Sequence, residues 1–268
     1  MITRFTRCGC LLALLLVLAA CAETPQVTRT PVKLRLAEAT DQAAVLNRIV
    51  ADYTADHDWV SVSTTSTTQQ DAVARVRSGQ IDAALLHREP EKAADVWVSG
   101  LAHDPIAVIV HPTNPITDVT LSQLSDLFQG RTFDWTSLGG TGEVIPVSRE
   151  AEANSRQIFE ERIMQTRAVT RNAVLKASAK AVLDFVANTP GAIGYVPLNY
   201  LDERVKAIAI EGVPPSAETA ANGKYVISSP LYVIAKSEPQ GDLREFIAWL
   251  LGNPGQTLMS QLGLGRVH

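Results

Sequence analysis

The chain has 268 residues, is 46% hydrophobic and 19% charged, and carries a formal net charge of −4. That hydrophobicity with so small a charge imbalance excludes a disordered chain, and three cysteines with sixteen glycines exclude disulfide-stapled and collagen-like classes. Without clustered Lys and Arg to neutralise phosphates, no nucleic-acid partner is expected.

At the N-terminus, Arg4 and Arg7 precede an apolar run from Leu11 to Ala20, and Leu18-Ala19-Ala20-Cys21 closes it. A basic start, an apolar stretch of about ten residues and small residues before a cysteine resemble the signal peptide and lipobox of a bacterial lipoprotein. A spanning helix needs about twenty apolar residues, so the run is too short for that. Residues 1–20 are therefore expected to be a signal peptide and Cys21 the lipidated residue. Cleavage would discard Cys8, Cys10 and two arginines, leaving 248 residues, one cysteine and a formal charge of −6. Neither an internal disulfide nor a cysteine-ligated metal survives that cut. Residues 21–31, with Thr24, Pro25, Thr28, Thr30 and Pro31, read as a polar tether to a membrane surface. The expected location is extracytoplasmic.

From Val32 onward, short apolar runs alternate with helical stripes, the order of an α/β protein with mostly parallel sheets. Val32 to Leu36 reads as a strand. Ala43, Val45, Leu46, Ile49, Val50 and Tyr53 then give a helix behind Thr40 or Asp41 as N-cap. A strand over 60–63 runs into a hydroxyl-rich loop, 64–68, and a helix of about ten residues closed by Gly79. Asp82 to His87 is a third strand, and Ile106 to Val110 a β-branched buried one. Thr120 and Gln123 have capping-box spacing before a helix that stops at Gly130. A strand follows over Val144 to Val147, then a helix over about 155–165. Ala181, Val182, Phe185 and Val186 mark another helix, leading to the strand Ile193 to Val196. Pro230 to Ala235 is a strand, and helices over 243–251 and 256–262 end the chain. So many elements suit two lobes with a cleft between them, the ordinary place for a small ligand. The strands at 106–110 and 230–235 are the natural crossings, giving 32–108 with 232–268 as one lobe and 109–231 as the other.

Several segments carry a more specific resemblance. Asn114-Pro115-Ile116, the stretch Leu121 to Gly130, Trp135, Gly139-Gly140, Val147-Ser148-Arg149-Glu150, Pro190 to Val196, Ser229-Pro230-Leu231-Tyr232 and Gly255-Gln256 are similar, in order, to the periplasmic phosphate-binding proteins of ABC importers. The resemblance implies a type II periplasmic-binding-protein fold: α/β, two lobes, a two-strand hinge and closure over one solute. It also implies an anion site in which backbone N–H groups at helix starts, hydroxyls and one or two arginines surround an oxyanion.

Four segments map onto that site. Glu38-Ala39-Thr40 stands where the family has Gly-Ser-Thr, and Thr67 and Thr68 lie in the loop before the second helix. His87-Arg88 occupies the place of a Ser-Arg pair, and Arg149 to Arg156, ending Glu152-Ala153-Asn154-Ser155-Arg156, replaces Gly-Ser-Gly-Thr-Arg. The ligand residues so implied are Thr40, Thr67, Thr68, His87, Arg88, Arg149, Asn154, Ser155 and Arg156. Ala39 and Ala153 have lost hydroxyls of the pattern, and Glu38 and Glu152 add negative charge beside an anion's place.

The five histidines show no metal-ligand pair, and no Gly-x-Ser-x-Gly, His-Glu-x-x-His or phosphate-loop lysine motif is present. Trp59, Trp97, Trp135 and Trp249 read as packing residues. No metal, cofactor or enzymatic activity is expected. The implied role is a monomeric, lipid-anchored solute receptor that delivers phosphate or a related small anion to an ABC permease. The alternative is a sensory or interaction lipoprotein of the same fold with an altered cleft.

Overall fold

A computed structural model of the chain describes residues 29–39 and 42–267. Its first strand, β1 (Val32–Ala39), sets the logic of the molecule. Successive strand side chains point to opposite faces, so Leu34 and Leu36 enter one core while Ala37 and Ala39 enter another. Helices must therefore cover both faces of the sheet.

On the Leu34 side this is done by α1 (Ala43–Ala55), whose Val45, Leu46, Ile49 and Tyr53 recur at helical spacing and are buried. Its N-cap is Gln42. The N-cap candidates Thr40 and Asp41 lie outside the described residues. The next strand, β2 (Val60–Ser66), pairs in parallel with β1 as far as Glu38 opposite Ser66. The expected hydroxyl loop at 64–68 is thus shorter: Thr64 to Ser66 continue the strand, because pairing with β1 satisfies their backbone groups. On the Ala37 side, α2 (Gln69–Ser78) starts at the Thr68 cap, ends at Gly79 in the left-handed region (φ 76°), and buries Ala72, Val73 and Val76.

The parallel strand β3 (Ala83–Leu86) follows, then the long β4 (Trp97–Val110), which begins nine residues before the β-branched run that marks it in the sequence. Beyond it come β5 (Asp118–Val119) and α3 (Leu121–Gln129), the latter with the expected Thr120/Gln123 capping box and a left-handed Gly130. Next are β6 (Ile145–Arg149) and α4 (Asn154–Phe159). The helix expected over 155–165 is α-helical only to Phe159 and then widens to a π-turn over Glu160–Met164. The central part closes with β7 (Val174–Lys176), α5 (Ala179–Ala187), β8 (Ala192–Pro197), β9 (Lys206–Ala207), β10 (Ala209–Ile210) and α6 (Ala217–Ala221). The chain returns through β11 (Ser228–Ala235) to α7 (Gly241–Leu251), α8 (Asn253–Gln261) and β12 (Gly265–Arg266).

The main sheet runs β2-β1-β3-β11-β4-β8-β6-β7, with β11 antiparallel to both β3 and β4. Its cores separate along β4. Leu101 and Ala102 pack with Leu34, Phe246 and Leu258. A few residues on, Ile106, Val108 and Val110 pack with Phe128, Trp135 and Phe159 on one face, while Ala107 and Ile109 meet α5 on the other. β11 is preceded by Ile227 in the Trp135 core and continues with Leu231 and Val233 in the Leu34 core. Two neighbouring strands therefore carry the chain between two sets of cores. Since β4 and β1 run the same way while β8 runs opposite to β4, the C-terminal ends of β1, β3, β6 and β8 all point to the boundary between those sets.

Candidate functional site

The implied ligand segments gather at these strand ends. Arg149 ends β6 and is buried, donating from its guanidinium to Ser155 Oγ at 3.5 Å and to the Ala177 carbonyl at 3.3 Å. Arg156 folds back over the same loop, with Nη1 2.8 Å from the Arg149 carbonyl and Nε 2.9 Å from Glu160 Oε1. Arg149, Ser155 and Arg156 thus form one cluster, in which the fixed fork of each arginine suits an oxyanion. Beneath it, Ser148 and Tyr195 share a hydrogen bond of 2.7 Å, and Tyr195 stacks on Phe159 with ring centroids 4.2 Å apart. Burial pushes the Tyr195 phenol above its ordinary value, against the pull of that hydrogen bond.

Asn154 connects this cluster to the other set of cores: its Nδ2 donates to the Ala39 carbonyl at 2.8 Å. Thr67 belongs to the same neighbourhood, since its N–H donates to the Glu38 carbonyl at 3.0 Å, and its hydroxyl donates to Asp71 Oδ2 at 2.5 Å. Thr68 is exposed and caps α2 by accepting the Asp71 N–H. Thr40, the remaining implied ligand of this segment, lies outside the described residues, as does Cys21.

Placement divides the His87-Arg88 pair. Arg88 is exposed and lies 3.5 Å from Glu161 of the π-turn, an ion pair between the two sets of cores. His87 turns inward, 3% exposed, with Nε2 3.3 Å from Asp104 Oδ2. His87 and Asp104 are each held by a further buried group to which the sequence assigned no role. Gln42 donates from Nε2 to the same Asp104 oxygen at 2.7 Å, and its backbone N–H donates to Glu38 Oε2 at 3.2 Å. Ser229 Oγ donates to the His87 carbonyl at 3.3 Å and stands opposite Asp104 in the β11–β4 register. Burial raises the Asp104 carboxyl above the ordinary carboxylate range, while His87 and the Gln42 hydrogen bond pull it down. These pairings are invisible in sequence because 62 residues separate Gln42 from Asp104 and 142 separate His87 from Ser229.

The two carboxylates of concern differ in place. Glu152 is exposed, while Glu38 is buried and covers an N–H at the start of α1. Among the described residues, no group of three His, Cys, Asp or Glu is arranged to hold a metal. No helix among them is long and apolar enough to cross a membrane.

Comparison with known proteins bears on this arrangement. Residues 24–254 match the family model described as PBP superfamily domain. The phosphate-binding protein PstS of Bacillus subtilis is 32% identical over 147 residues, covering 54% of this chain and 49% of the relative. The chain spans about half the length of the first curated relatives it matches. Among solved structures, a Clostridium perfringens protein with bound phosphate superposes with a TM-score of 0.78 at 24% identity, covering 88% of this chain and 100% of that one. An ABC-type phosphate transport receptor from Vibrio cholerae gives 0.72 at 23% identity, covering 87% and 99%. Likeness of this extent establishes the type II periplasmic-binding-protein fold expected from the sequence.

Proposed function

The chain belongs to the PBP superfamily, and from that membership we propose that it is an extracytoplasmic solute-binding protein that closes on phosphate or a related oxyanion and hands it to an ABC importer. The observation that carries the reading is the buried Arg149, joined with Ser155 and Arg156 at the start of α4 and tied through Asn154 to the end of β1. The phosphate-bound state of the Clostridium perfringens structure and the phosphate-binding name of the Bacillus subtilis relative support the choice of ligand.

In this reading, residues 32–108 with 232–268 form one lobe, residues 109–231 the other, and β4 and β11 the hinge. An anion entering between them takes donors from Arg149, Asn154, Ser155 and Arg156 on one side, and from Thr40, Thr67, Thr68, His87 and Arg88 on the other. Neither set alone surrounds it, so the closed form gains contacts that the open form lacks, and the ligand shifts the population toward closure. No bond is made or broken. Residues 1–20 act as a signal peptide, Cys21 carries the lipid, and residues 21–31 tether a monomeric receptor near its permease.

A second reading, a sensory or interaction lipoprotein with an altered cleft, is favoured by Ala153, which supplies no hydroxyl, and by Glu38, whose carboxylate takes the Gln42 N–H. A thermal-stabilisation screen over phosphate, sulfate, molybdate, phosphonates and small carboxylates separates the two. Stabilisation by phosphate or another of these oxyanions supports the receptor, and a flat response across all of them at millimolar concentration supports the altered cleft.

A further inference from the structure

Asp104 lies on the crossing strand β4, is 1% exposed, and gives a single carboxylate oxygen to two loops that are distant in sequence. Gln42, at the start of α1, reaches that oxygen from the segment after β1, and His87 reaches it from the segment after β3. The other crossing strand grips the same place: Ser229, paired with Asp104 in register, holds the His87 carbonyl. We propose that Asp104 is the positioning residue of the anion site, fixing Gln42 at the start of α1 and His87 after β3 in the geometry an oxyanion needs and linking that geometry to the hinge strands. The inference rests on the anion-receptor reading above.

Two physical considerations favour a positioning role over a purely structural one. A buried carboxylate pays a desolvation cost that an apolar residue of similar volume would not, so a position selected for stability alone would favour Leu or Met. The network is also incompletely satisfied: among the described residues, neither Asp104 Oδ1 nor Gln42 Oε1 has a hydrogen-bond partner. A cluster that gives up hydrogen bonds in a core while holding Gln42 and His87 together matches the supporting layer that preorganised sites require.

The test separates affinity from stability. Asp104→Asn keeps the volume but replaces the carboxylate that meets His87 and Gln42 with an amide, and Gln42→Met removes the hydrogen bond from the start of α1. Inorganic phosphate is titrated calorimetrically into the parent and both variants, with a melting curve of each unliganded protein. The expected result is at least a tenfold loss of phosphate affinity in Asp104→Asn, a loss in the same direction in Gln42→Met, and cooperative melting in both. In the double variant the losses combine less than additively, because both act through one oxygen. A phosphate affinity in Asp104→Asn within twofold of the parent overturns the positioning role. If Asp104→Asn does not fold, Gln42→Met decides by the same criterion. A parent that binds no phosphate overturns the phosphate reading, and the positioning role falls with it.

Discussion

The side-chain amide of Asn154 donates to the carbonyl of Ala39 at 2.8 Å, across 115 residues of sequence. It joins the start of α4, where Arg149, Ser155 and Arg156 cluster, to the end of β1. In the proposed receptor it is a latch that is made when the two halves approach.

Removing the latch should weaken the closed, liganded form more than the open one. Asn154→Ala forfeits a hydrogen bond of about 1 kcal/mol, which corresponds to about a fivefold loss of anion affinity. Calorimetric titration reads the change directly. An unchanged affinity would mean that the contact does not contribute to closure over ligand.

Arg88 presents its guanidinium to Glu161 at 3.5 Å, with both side chains exposed. A carboxylate so placed competes with any anion for that cation, and in solvent the pair itself contributes little to stability. Glu161→Gln should therefore raise phosphate affinity by about twofold to threefold at low salt, with the gain shrinking as salt screens the cation. The melting temperature should stay within a degree or so. A loss of affinity would show that Glu161 orients Arg88 instead of competing for it.

Alkali should unfold the protein through its buried phenols. Burial raises Tyr195 and Tyr225 above the ordinary tyrosine value of 10.0, so in both cases the unfolded chain ionises first. The stability these groups contribute is complete below pH 10 and is lost as pH rises toward their folded values, by about 1.4 kcal/mol per pH unit for each. Melting temperatures measured from pH 8 to 11 should be level and then fall. In Tyr195→Phe the fall should be roughly half as steep, after an initial loss from separating Ser148 from its phenol partner. Equal slopes in parent and variant would assign alkaline unfolding to other groups.

How much of this was readable in the sequence depends on the range of the forces involved. The Thr120/Gln123 capping box, the left-handed stops at Gly79 and Gly130, and the helical stripe of α1 are local, and the expected elements agree with the structure there. The first half of β4 is not local: Gly100, His103, Asp104 and Pro105 look like a loop, and only pairing with β11 from the far end of the chain makes them a strand. The π-turn at Glu160–Met164 has no signal in the sequence beyond an ordinary amphipathic run. At the site, resemblance to a known family pointed to the Arg149–Arg156 loop. The roles of Gln42, Asp104 and Ser229 arise from contacts across the sheet; the sequence marks Ser229 only within the Ser229–Tyr232 resemblance, and Gln42 and Asp104 not at all.

Calorimetric titration of inorganic phosphate into the folded protein and into Arg149→Met tests the joint grip on an anion most directly. The account predicts one site per chain in the parent and a loss of at least a hundredfold in the variant, since a buried charge-assisted donor would be gone. No heat in a cooperatively folded parent up to millimolar phosphate, or equal binding by both proteins, would contradict it.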